Sequence, residues 1–290
     1  MSLKIVVLAK QVPDTRNVGK DAMTPEGTVN RAALPAIFNP EDLNALEQAL
    51  KLKDENPGSV VSILTMGPPR ATDVIREGMY RGADNGYLLT DRAFAGADTL
   101  ATSYALAMAI RKIGGCDIVI GGRQAIDGDT AQVGPQVAQK LDLNQVTYVE
   151  EILSCKNGLL TVKRHIDGGV ETVEAPLPLV LTVNSSAVPC RPRNAKLVMK
   201  FKRAMAPMEM PAEGVPYAEE YKAKPYLTVT QWSVADVDGD LAQCGLAGSP
   251  TKVKAVQNIV FKAKESKSLT GADAEVEEMI QELLANHTIG

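Results

Sequence analysis

Residues 116–121, Cys-Asp-Ile-Val-Ile-Gly, form an apolar run that ends in the glycine pair Gly121 and Gly122. A short β-branched run of this kind is typical of a strand that is buried on both faces of a parallel sheet. An alanine-rich stretch that predicts a helix, 97–113, comes directly before it. We therefore predict that 116–121 is one of several parallel strands joined by helices.

The chain before this strand repeats the same alternation. The alternating segments are three apolar runs, 4–9, 60–66 and 86–91, and three segments with helical spacing or composition, 41–54, 70–81 and 97–113. Strands that alternate with helices of this length predict right-handed βαβ units and helices on both faces of the sheet. The predicted fold class is α/β, with an open and mostly parallel sheet.

The chain after residue 145 changes character. Segments 145–152, 159–166 and 170–183 are β-rich and are separated by Gly-containing turns, so they predict hairpins added to the sheet. Pro176 and Pro178 predict that part of the last segment lies at an edge.

The C-terminal part is different again. Four prolines between 204 and 226 predict an extended arm. An apolar stripe at helical spacing predicts a short helix; it consists of Val276, Met279, Ile280, Leu283 and Leu284. The sequence thus predicts two parts, an α/β domain over 1–203 and an arm with a terminal helix over 204–290.

Composition excludes several classes of protein. The 31 basic and 35 acidic residues give a net charge of −4, so no overall positive field would attract a nucleic acid. The apolar run at 5–9 is too short for a signal peptide or a membrane span, which predicts a soluble, cytoplasmic protein. The four cysteines have no zinc or iron–sulfur spacing and are interpreted as incidental thiols in a reducing compartment.

The loop 121–135, Gly-Gly-Arg-Gln-Ala-Ile-Asp-Gly-Asp-Thr-Ala-Gln-Val-Gly-Pro, follows the predicted strand at the end where open parallel sheets bind ligands. Asp129 and Gln132 resemble a capping box, and Pro135 fits only the first turn of the helix that would follow. We expect Asp127 and Asp129 to bind ribose hydroxyls or an adenine amino group, or to form hydrogen bonds within the loop. A plain connecting loop is the alternative.

Familiar catalytic motifs are absent. The sequence has no phosphate-binding P-loop, no G-x-G-x-x-G after its first strand and no G-x-S-x-G. The two histidines, His165 and His287, have no nucleophile near them in sequence and are interpreted as surface residues. Few acid–base groups are needed where a bound cofactor supplies the reactive atoms.

A basic segment without any acidic residue spans 191–203. Its cations are Arg191, Arg193, Lys196, Lys200, Lys202 and Arg203. Apolar residues between them, from Leu197 to Phe201, favour docking of a protein partner, with nucleic-acid binding as the weaker alternative.

Four motifs together resemble the small, or beta, subunit of electron transfer flavoproteins along essentially the whole chain. They are Val7-Leu-Ala-Lys-Gln-Val-Pro-Asp-Thr15, Asn39-Pro40 before a helix with Glu47 and Ala49, Gly122-Arg-Gln-Ala-Ile-Asp127, and Val162-Lys-Arg-His-Ile-Asp-Gly-Gly-Val-Glu-Thr172. The resemblance implies a heterodimer with an FAD-holding alpha subunit. It also implies a nucleotide in this chain, in a domain of adenine-nucleotide-binding type, and contact between the 204–290 part and the alpha subunit.

The resemblance implies which residues contact that nucleotide. They are Ala9, Asn39, Pro40, Glu41, Asp42, Met66, Arg123, Gln124, Ala125, Ile126, Asp127, Gly128, Asp129, Thr130, Ala131, Gln132, Val133 and Gly134. It further implies that Leu197 anchors an acyl-CoA dehydrogenase, although the stretch after Leu197 is shorter than in mitochondrial-type members.

The family divides on the identity of the nucleotide. Mitochondrial-type members hold AMP as a structural element, whereas electron-bifurcating members hold a second FAD. Small residues at 128, 130 and 131 resemble the bifurcating pattern, and a small residue at 128 leaves space and adds no charge near a pyrophosphate. The implied function is to accept a hydride from NADH. One electron then passes to ferredoxin or flavodoxin, and the other passes through the alpha-subunit FAD to an acyl-CoA dehydrogenase or reductase.

Two other functions are compatible with the sequence. One is a subunit that binds AMP structurally while the alpha subunit carries the only FAD. The other is a free-standing adenine-nucleotide sensor, against which the proline-rich arm and the apolar terminal helix count.

Overall fold

The computed structural model describes residues 1–14, 35–251, 266–286 and 288–289. Residues 1–14 and 35–251 belong to one compact unit, and the described residues from 266 onward belong to a second. Within the described chain, no helix is both long and apolar enough to cross a membrane.

The first unit contains eleven strands and six helices in its described part. The strands are β1 Lys4–Leu8, β2 Gln11–Pro13, β3 Ala36–Phe38, β4 Val60–Met66, β5 Asn85–Leu89, β6 Ile118–Gly122, β7 Asn144–Lys156, β8 Leu159–Ile166, β9 Gly169–Pro176, β10 Leu179–Val183 and β11 Thr230–Trp232. The helices are α1 Pro40–Glu55, α2 Thr72–Arg81, α3 Thr99–Ile113, α4 Val133–Leu141, α5 Ala195–Phe201 and α6 Ala218–Ala223. The strands and helices predicted between residues 4 and 121 are confirmed, with small shifts at their ends.

Nine strands form one sheet in the order β11-β5-β4-β1-β6-β10-β7-β8-β9. The pairs from β11 to β7 are parallel, and the two pairs that join β7, β8 and β9 are antiparallel. After β5 the chain returns to the other side of β1, so the strand order reverses between β1 and β6. In open α/β sheets, such a switch point opens a crevice at the carboxyl ends of the strands.

Side chains of β1 alternate between two cores. Ile5 and Val7 pack with α1 and α2 residues on one face, and Val6 and Leu8 pack with α3 and α4 residues on the other. Successive side chains of a strand point to opposite faces, so a run buried throughout requires helices on both faces. The prediction of a parallel sheet covered on both faces is confirmed.

The β-rich segment after residue 145 follows the prediction only in part. Strands β7, β8 and β9 form the predicted hairpins, and β9 is the edge strand that ends at Pro176. Segment 170–183, however, is two strands, because β10 lies inside the sheet between β6 and β7. All five residues of β10 are buried, which is the pattern of a central parallel strand and not of a hairpin.

Residues 204–251 are largely turns and short helices. Strand β11 adds to the β5 edge of the sheet, and α6 lies inside the stretch that the prolines predict to be extended. These residues belong to the first compact unit. The functional division at residue 203 stays a prediction, since it concerns contact with another subunit.

The second unit contains helix α7, Asp273–Ala285, in its described part. The helix predicted from the stripe at 276–284 is thus present. Its first turn carries Asp273 and Glu275, whose negative charges interact favourably with the positive end of the helix dipole.

Candidate functional site

The carboxylate of Asp42 joins the two strands at the switch point. Asp42 lies in the first turn of α1 and accepts hydrogen bonds from the backbone N–H of Lys10, 2.9 Å, and of Gly122, 2.8 Å. Lys10 follows β1, and Gly122 is the last residue of β6. The start of α1 therefore fixes the distance between these two strand ends.

Burial raises the pKa of the Asp42 carboxyl to about 7. The hydrogen bonds from Gly122, Lys10 and Asn39 oppose this rise, and the neighbouring Glu41 carboxylate adds to it. Buried charge without a cationic partner is unfavourable, which explains the direction of the shift.

Two neighbours of Asp42 hold the loop that follows β6. Asn39 donates to the carbonyl oxygen of Gln124, 2.9 Å, and accepts from the N–H of Ile126, 3.2 Å. Glu41 accepts from the N–H of Gln124, 2.9 Å, and from an Arg123 guanidinium nitrogen, 3.3 Å. The stretch Asn39-Pro-Glu-Asp42 thus sets the path of residues 122–126.

The two acidic side chains of the loop form hydrogen bonds with Lys10 and with another residue of the loop. The Lys10 ammonium contacts both carboxylate oxygens of Asp127, at 2.7 and 2.9 Å, and the Gln124 side-chain amide donates to Asp129, 2.8 Å. Of the roles open from the sequence, the structure shows local hydrogen bonds for both carboxylates. Lys10 was not among the residues predicted for the site.

The predicted capping box at Asp129 and Gln132 is wrong. Helix α4 begins at Val133, and its N-cap residue Gln132 makes no side-chain capping bond. Asp129 and Ala131 have left-handed backbone conformations, φ 48° and 52°, so the chain turns before the helix begins. Pro135 lies in the first turn, as predicted.

Three glycines show where this edge is packed and where it is open. A Cβ on Gly122 would lie 2.6 Å from atoms of Asp42 and Glu41, and one on Gly134 would clash with the buried Thr182 side chain. A Cβ on Gly128 would have no neighbour within 4 Å among the described residues. The middle of the loop is therefore open, while both its ends are fixed.

Comparison with known proteins identifies the family to which this chain belongs. The model of the electron transfer flavoprotein domain matches residues 26–213. The chain belongs to the electron transfer flavoprotein family. More specifically, it groups with the beta subunits.

Three relatives illustrate the similarity. The caffeyl-CoA reductase–Etf complex subunit CarD of Acetobacterium woodii is 45% identical over 87% of this chain and 86% of its own length. The electron transfer flavoprotein subunit beta of Clostridium acetobutylicum is 44% identical over 87% and 86%. The acryloyl-CoA reductase electron transfer subunit gamma of Anaerotignum propionicum is 41% identical over 99% and 100%.

Electron transfer flavoproteins bind FAD or AMP, and the switch-point edge fits such a nucleotide. No hydrogen bond of the described chain uses the backbone N–H groups of 131–134, at the start of α4. Free N–H groups at a helix start favour phosphate. Among the described residues, four buried side-chain atoms have no hydrogen-bond partner: one lies in Arg81 of α2, and three lie at this edge, in Thr65 of β4, Arg123 after β6 and Gln136 of α4. A bound ligand could supply partners for the three at this edge.

The residues that the resemblance implies for the nucleotide share this edge. Ala9 and Met66 lie at the carboxyl ends of β1 and β4, Asn39 to Asp42 begin α1, and Arg123 to Gly134 connect β6 to α4. Carboxyl ends of parallel strands meet at one edge, which is why residues so distant in sequence come together.

Leu197 lies elsewhere in this electron transfer flavoprotein chain, on α5. It is partly buried against the core and lines a groove of about 560 Å³, together with residues 82–84 that precede β5. That groove is at the amino end of β5, the opposite edge from the switch point. Met199 on the same helix is 65% exposed.

The basic segment is less free than its sequence indicates. Arg191 binds the buried Glu47 carboxylate through Nε and Nη2, each at 3.0 Å, and Arg193 pairs with Glu77, 2.6 Å. The acidic partners come from α1 and α2, so a window of sequence that contains no acid could not reveal them.

The cysteines and histidines considered in the sequence show no sign of a reactive site in the described chain. Burial raises the pKa of Cys116 to about 11 and of Cys190 to about 12, so both thiols stay protonated near neutral pH. His165 is half exposed beside Glu150, and His287 lies outside the described residues. In the described part of the chain, no group of three acidic, histidine or cysteine side chains could hold a metal ion.

Proposed function

We propose that this beta subunit serves an electron-bifurcating electron transfer flavoprotein and binds FAD at the switch-point edge. The open position at Gly128 carries the proposal. No described residue lies within 4 Å of a Cβ at this position, and the residue adds no carboxylate to the two already present at 127 and 129.

The chain's own residues bind and orient the cofactor. Asn39, Glu41 and Asp42 fix the loop from beneath, while the free N–H groups of 131–134 face the place where a pyrophosphate fits. Lys10 neutralises Asp127, which lowers the repulsion between that carboxylate and an approaching phosphate. When bound, the FAD supplies hydride acceptance from NADH and transfer of single electrons.

The partners follow from the same proposal. One electron passes to ferredoxin or flavodoxin, and the other passes through the FAD of the alpha subunit to an acyl-CoA dehydrogenase or reductase. Two of the relatives belong by name to caffeyl-CoA and acryloyl-CoA reductase systems, which supports an acyl-CoA reductase as that partner.

Two surfaces would meet these partners. The stripe on α7 would pack on the alpha subunit, since burial of such side chains contributes roughly 1.5–3 kcal/mol each. Removal of the residues after Gly271 should then weaken the heterodimer and leave the sheet folded. Leu197 would contact the acyl-CoA partner.

The test counts nucleotides in the purified heterodimer. We expect two FAD molecules per heterodimer in the wild type. The Gly128→Asp variant should keep the alpha-subunit FAD and lose the beta-subunit FAD together with NADH-driven flavin reduction. Like charges about 4 Å apart at an effective dielectric of about 20 repel by about 4 kcal/mol, and partial exposure of this loop reduces that figure.

Gly128→Asn is the matched control, because it adds nearly the same volume without charge. It should retain both flavins. A wild-type heterodimer with one FAD and one AMP would instead identify the structural AMP subunit and reject bifurcation. A Gly128→Asp variant that keeps both flavins would show that residue 128 does not select the ligand.

A further inference from the structure

Tyr148 has an unusual backbone conformation beside the switch-point edge. In the β7–β10 pair, Leu181 is opposite Val146 and Val183 is opposite Val149, so Thr147 and Tyr148 both face Thr182. This β-bulge places Tyr148 at φ 58°, a left-handed conformation that bulky residues rarely adopt. Bulges redirect side chains and are frequent beside functional sites.

The redirected ring lies against Arg123. The guanidinium carbon of Arg123 is 5.6 Å from the centre of the Tyr148 ring, within the range of a cation–π contact. The Arg123 backbone is fixed too, since its N–H donates to Val183, 2.8 Å. Glu41 accepts from one terminal nitrogen, 3.3 Å.

One donor of this arginine has no acceptor. The Nε atom of Arg123 is buried, and among the described residues it has no hydrogen-bond partner. A buried donor without a partner destabilises the folded chain, and few remain in native proteins. The rest of this side chain already contacts Glu41 and Tyr148, and no acceptor for Nε is present among the described residues, so this donor is available to a bound ligand.

The start of α4 meets the same end of β10. Gly134 packs so closely on Thr182 that a Cβ there would clash, and Thr182 is the residue opposite the bulge. The free N–H groups of 131–134 and the free Nε–H of Arg123 therefore flank the ends of β6 and β10.

We infer that Tyr148 is a positioning residue, which holds the Arg123 guanidinium so that its Nε–H donates to an acceptor atom of the bound nucleotide. This inference rests on nucleotide binding at the switch point. It adds Tyr148, which neither the motifs nor the resemblance indicates, and it assigns Arg123 a hydrogen bond to the ligand. The acceptor belongs either to the AMP half or to the flavin half of the ligand.

The experiment measures nucleotide affinity in the intact heterodimer. The beta-subunit site is first emptied by dialysis against concentrated potassium bromide. FAD and AMP are then titrated separately by calorimetry. We expect Arg123→Gln to weaken FAD binding about 10- to 100-fold, the range for a lost hydrogen bond to a charged group. Tyr148→Ala should weaken it about tenfold, while Tyr148→Phe, which keeps the ring but loses the hydrogen bond of the hydroxyl to Arg123, should lose clearly less affinity.

The double variant separates positioning from a general structural effect. If Tyr148 acts through Arg123, Tyr148→Ala added to Arg123→Gln should cause no further loss of affinity. Additive losses, or equal losses in Tyr148→Ala and Tyr148→Phe, would overturn the inference. Thermal unfolding of each variant without nucleotide checks that the fold is intact.

The two ligands distinguish the sources of the acceptor. Loss of both AMP and FAD affinity would assign it to the shared AMP half, and loss of FAD affinity alone would assign it to the flavin half. If Arg123→Gln binds both ligands as well as the wild type, the inference fails and the proposed function stands. If the wild type binds neither ligand, the proposed function fails first.

Discussion

Helix α1 holds the buried carboxylates of Asp42 and Glu47 in opposite ways. Asp42, in its first turn, binds only uncharged donors of the strand ends, and burial raises its pKa to about 7. Glu47, one and a half turns later, binds the Arg191 guanidinium. Burial raises the pKa of Glu47, but the hydrogen bonds and charge of Arg191 outweigh that effect and lower it below the ordinary value.

These two carboxylates attach two different regions of the chain to α1, the switch-point edge and the basic segment 191–203. The switch-point edge is held by backbone groups, so its geometry follows from the fold itself. The basic segment 191–203 is held at its start by the Arg191 side chain and farther along by the buried Phe201, so only part of its position depends on charge. One helix therefore positions both the nucleotide edge and the segment proposed to meet the partner.

The largest effect is expected from Asp42→Ala. The N–H groups of Lys10 and Gly122 would lose their acceptor in a partly buried setting, which costs about 1–3 kcal/mol for each donor. We expect the free energy of unfolding at pH 6 to fall by about 2–6 kcal/mol in urea titrations, with loss of the beta-subunit nucleotide. Asp42→Asn, which keeps one acceptor oxygen, should lose about half as much. Wild-type stability in Asp42→Ala would show that water replaces the carboxylate at no cost.

Asp42 also shows how much of the candidate site could be predicted from the sequence. An acidic residue at the start of a predicted helix can be recognised in the sequence, and so can the glycine-containing loop 121–135. The bonds from Lys10 to Asp127 and from Tyr148 to Arg123 are not visible, because they join distant residues whose contact depends on strand order and on a bulge. Strand β10 could have been predicted from its five apolar or β-branched residues, but the preceding prolines obscured where it begins.

The second prediction concerns pH. A raised pKa means that the stability contributed by Asp42 is complete below pH 3.8 and is lost as the pH rises to about 7. The stability advantage of the wild type over Asp42→Asn should therefore shrink over that interval.

Glu47 should behave in the opposite way. Its pKa is lowered, so its contribution is complete above pH 4.5 and is lost as the pH falls through the lower value of the folded chain. We expect Glu47→Gln to cost about 1.5–3 kcal/mol at pH 7, the range for hydrogen bonds to charged groups, and less under acid conditions. Urea titrations from pH 3 to pH 8 compare the two variants. Parallel profiles would remove the contrast between these two carboxylates of α1.

The third prediction tests the packed and the open parts of the nucleotide edge. Gly134→Ala should cost about 1–3 kcal/mol, because its Cβ clashes with buried Thr182, and this exceeds the roughly 1 kcal/mol that alanine gains over glycine in a helix. Gly128→Ala should change stability by less than about 0.5 kcal/mol, since its Cβ would contact no residue in the described part of the chain. Chemical denaturation of both variants is sufficient. Equal costs would contradict an open middle of the loop.

The smallest effect on stability separates Leu197 from Met199 in the basic segment. Leu197 is partly buried against the core, so Leu197→Ala should cost about 1–2 kcal/mol, whereas Met199, 65% exposed, should cost less than about 0.5 kcal/mol on replacement by alanine. Apolar anchors within charged rims dominate transient contacts. If Leu197 is that anchor, Leu197→Ala should slow electron delivery to the acyl-CoA partner at limiting partner concentration and leave NADH oxidation with an artificial acceptor intact. Slower delivery in Met199→Ala than in Leu197→Ala would move the anchor to the exposed side of α5, and Leu197 would then only attach that helix to the core.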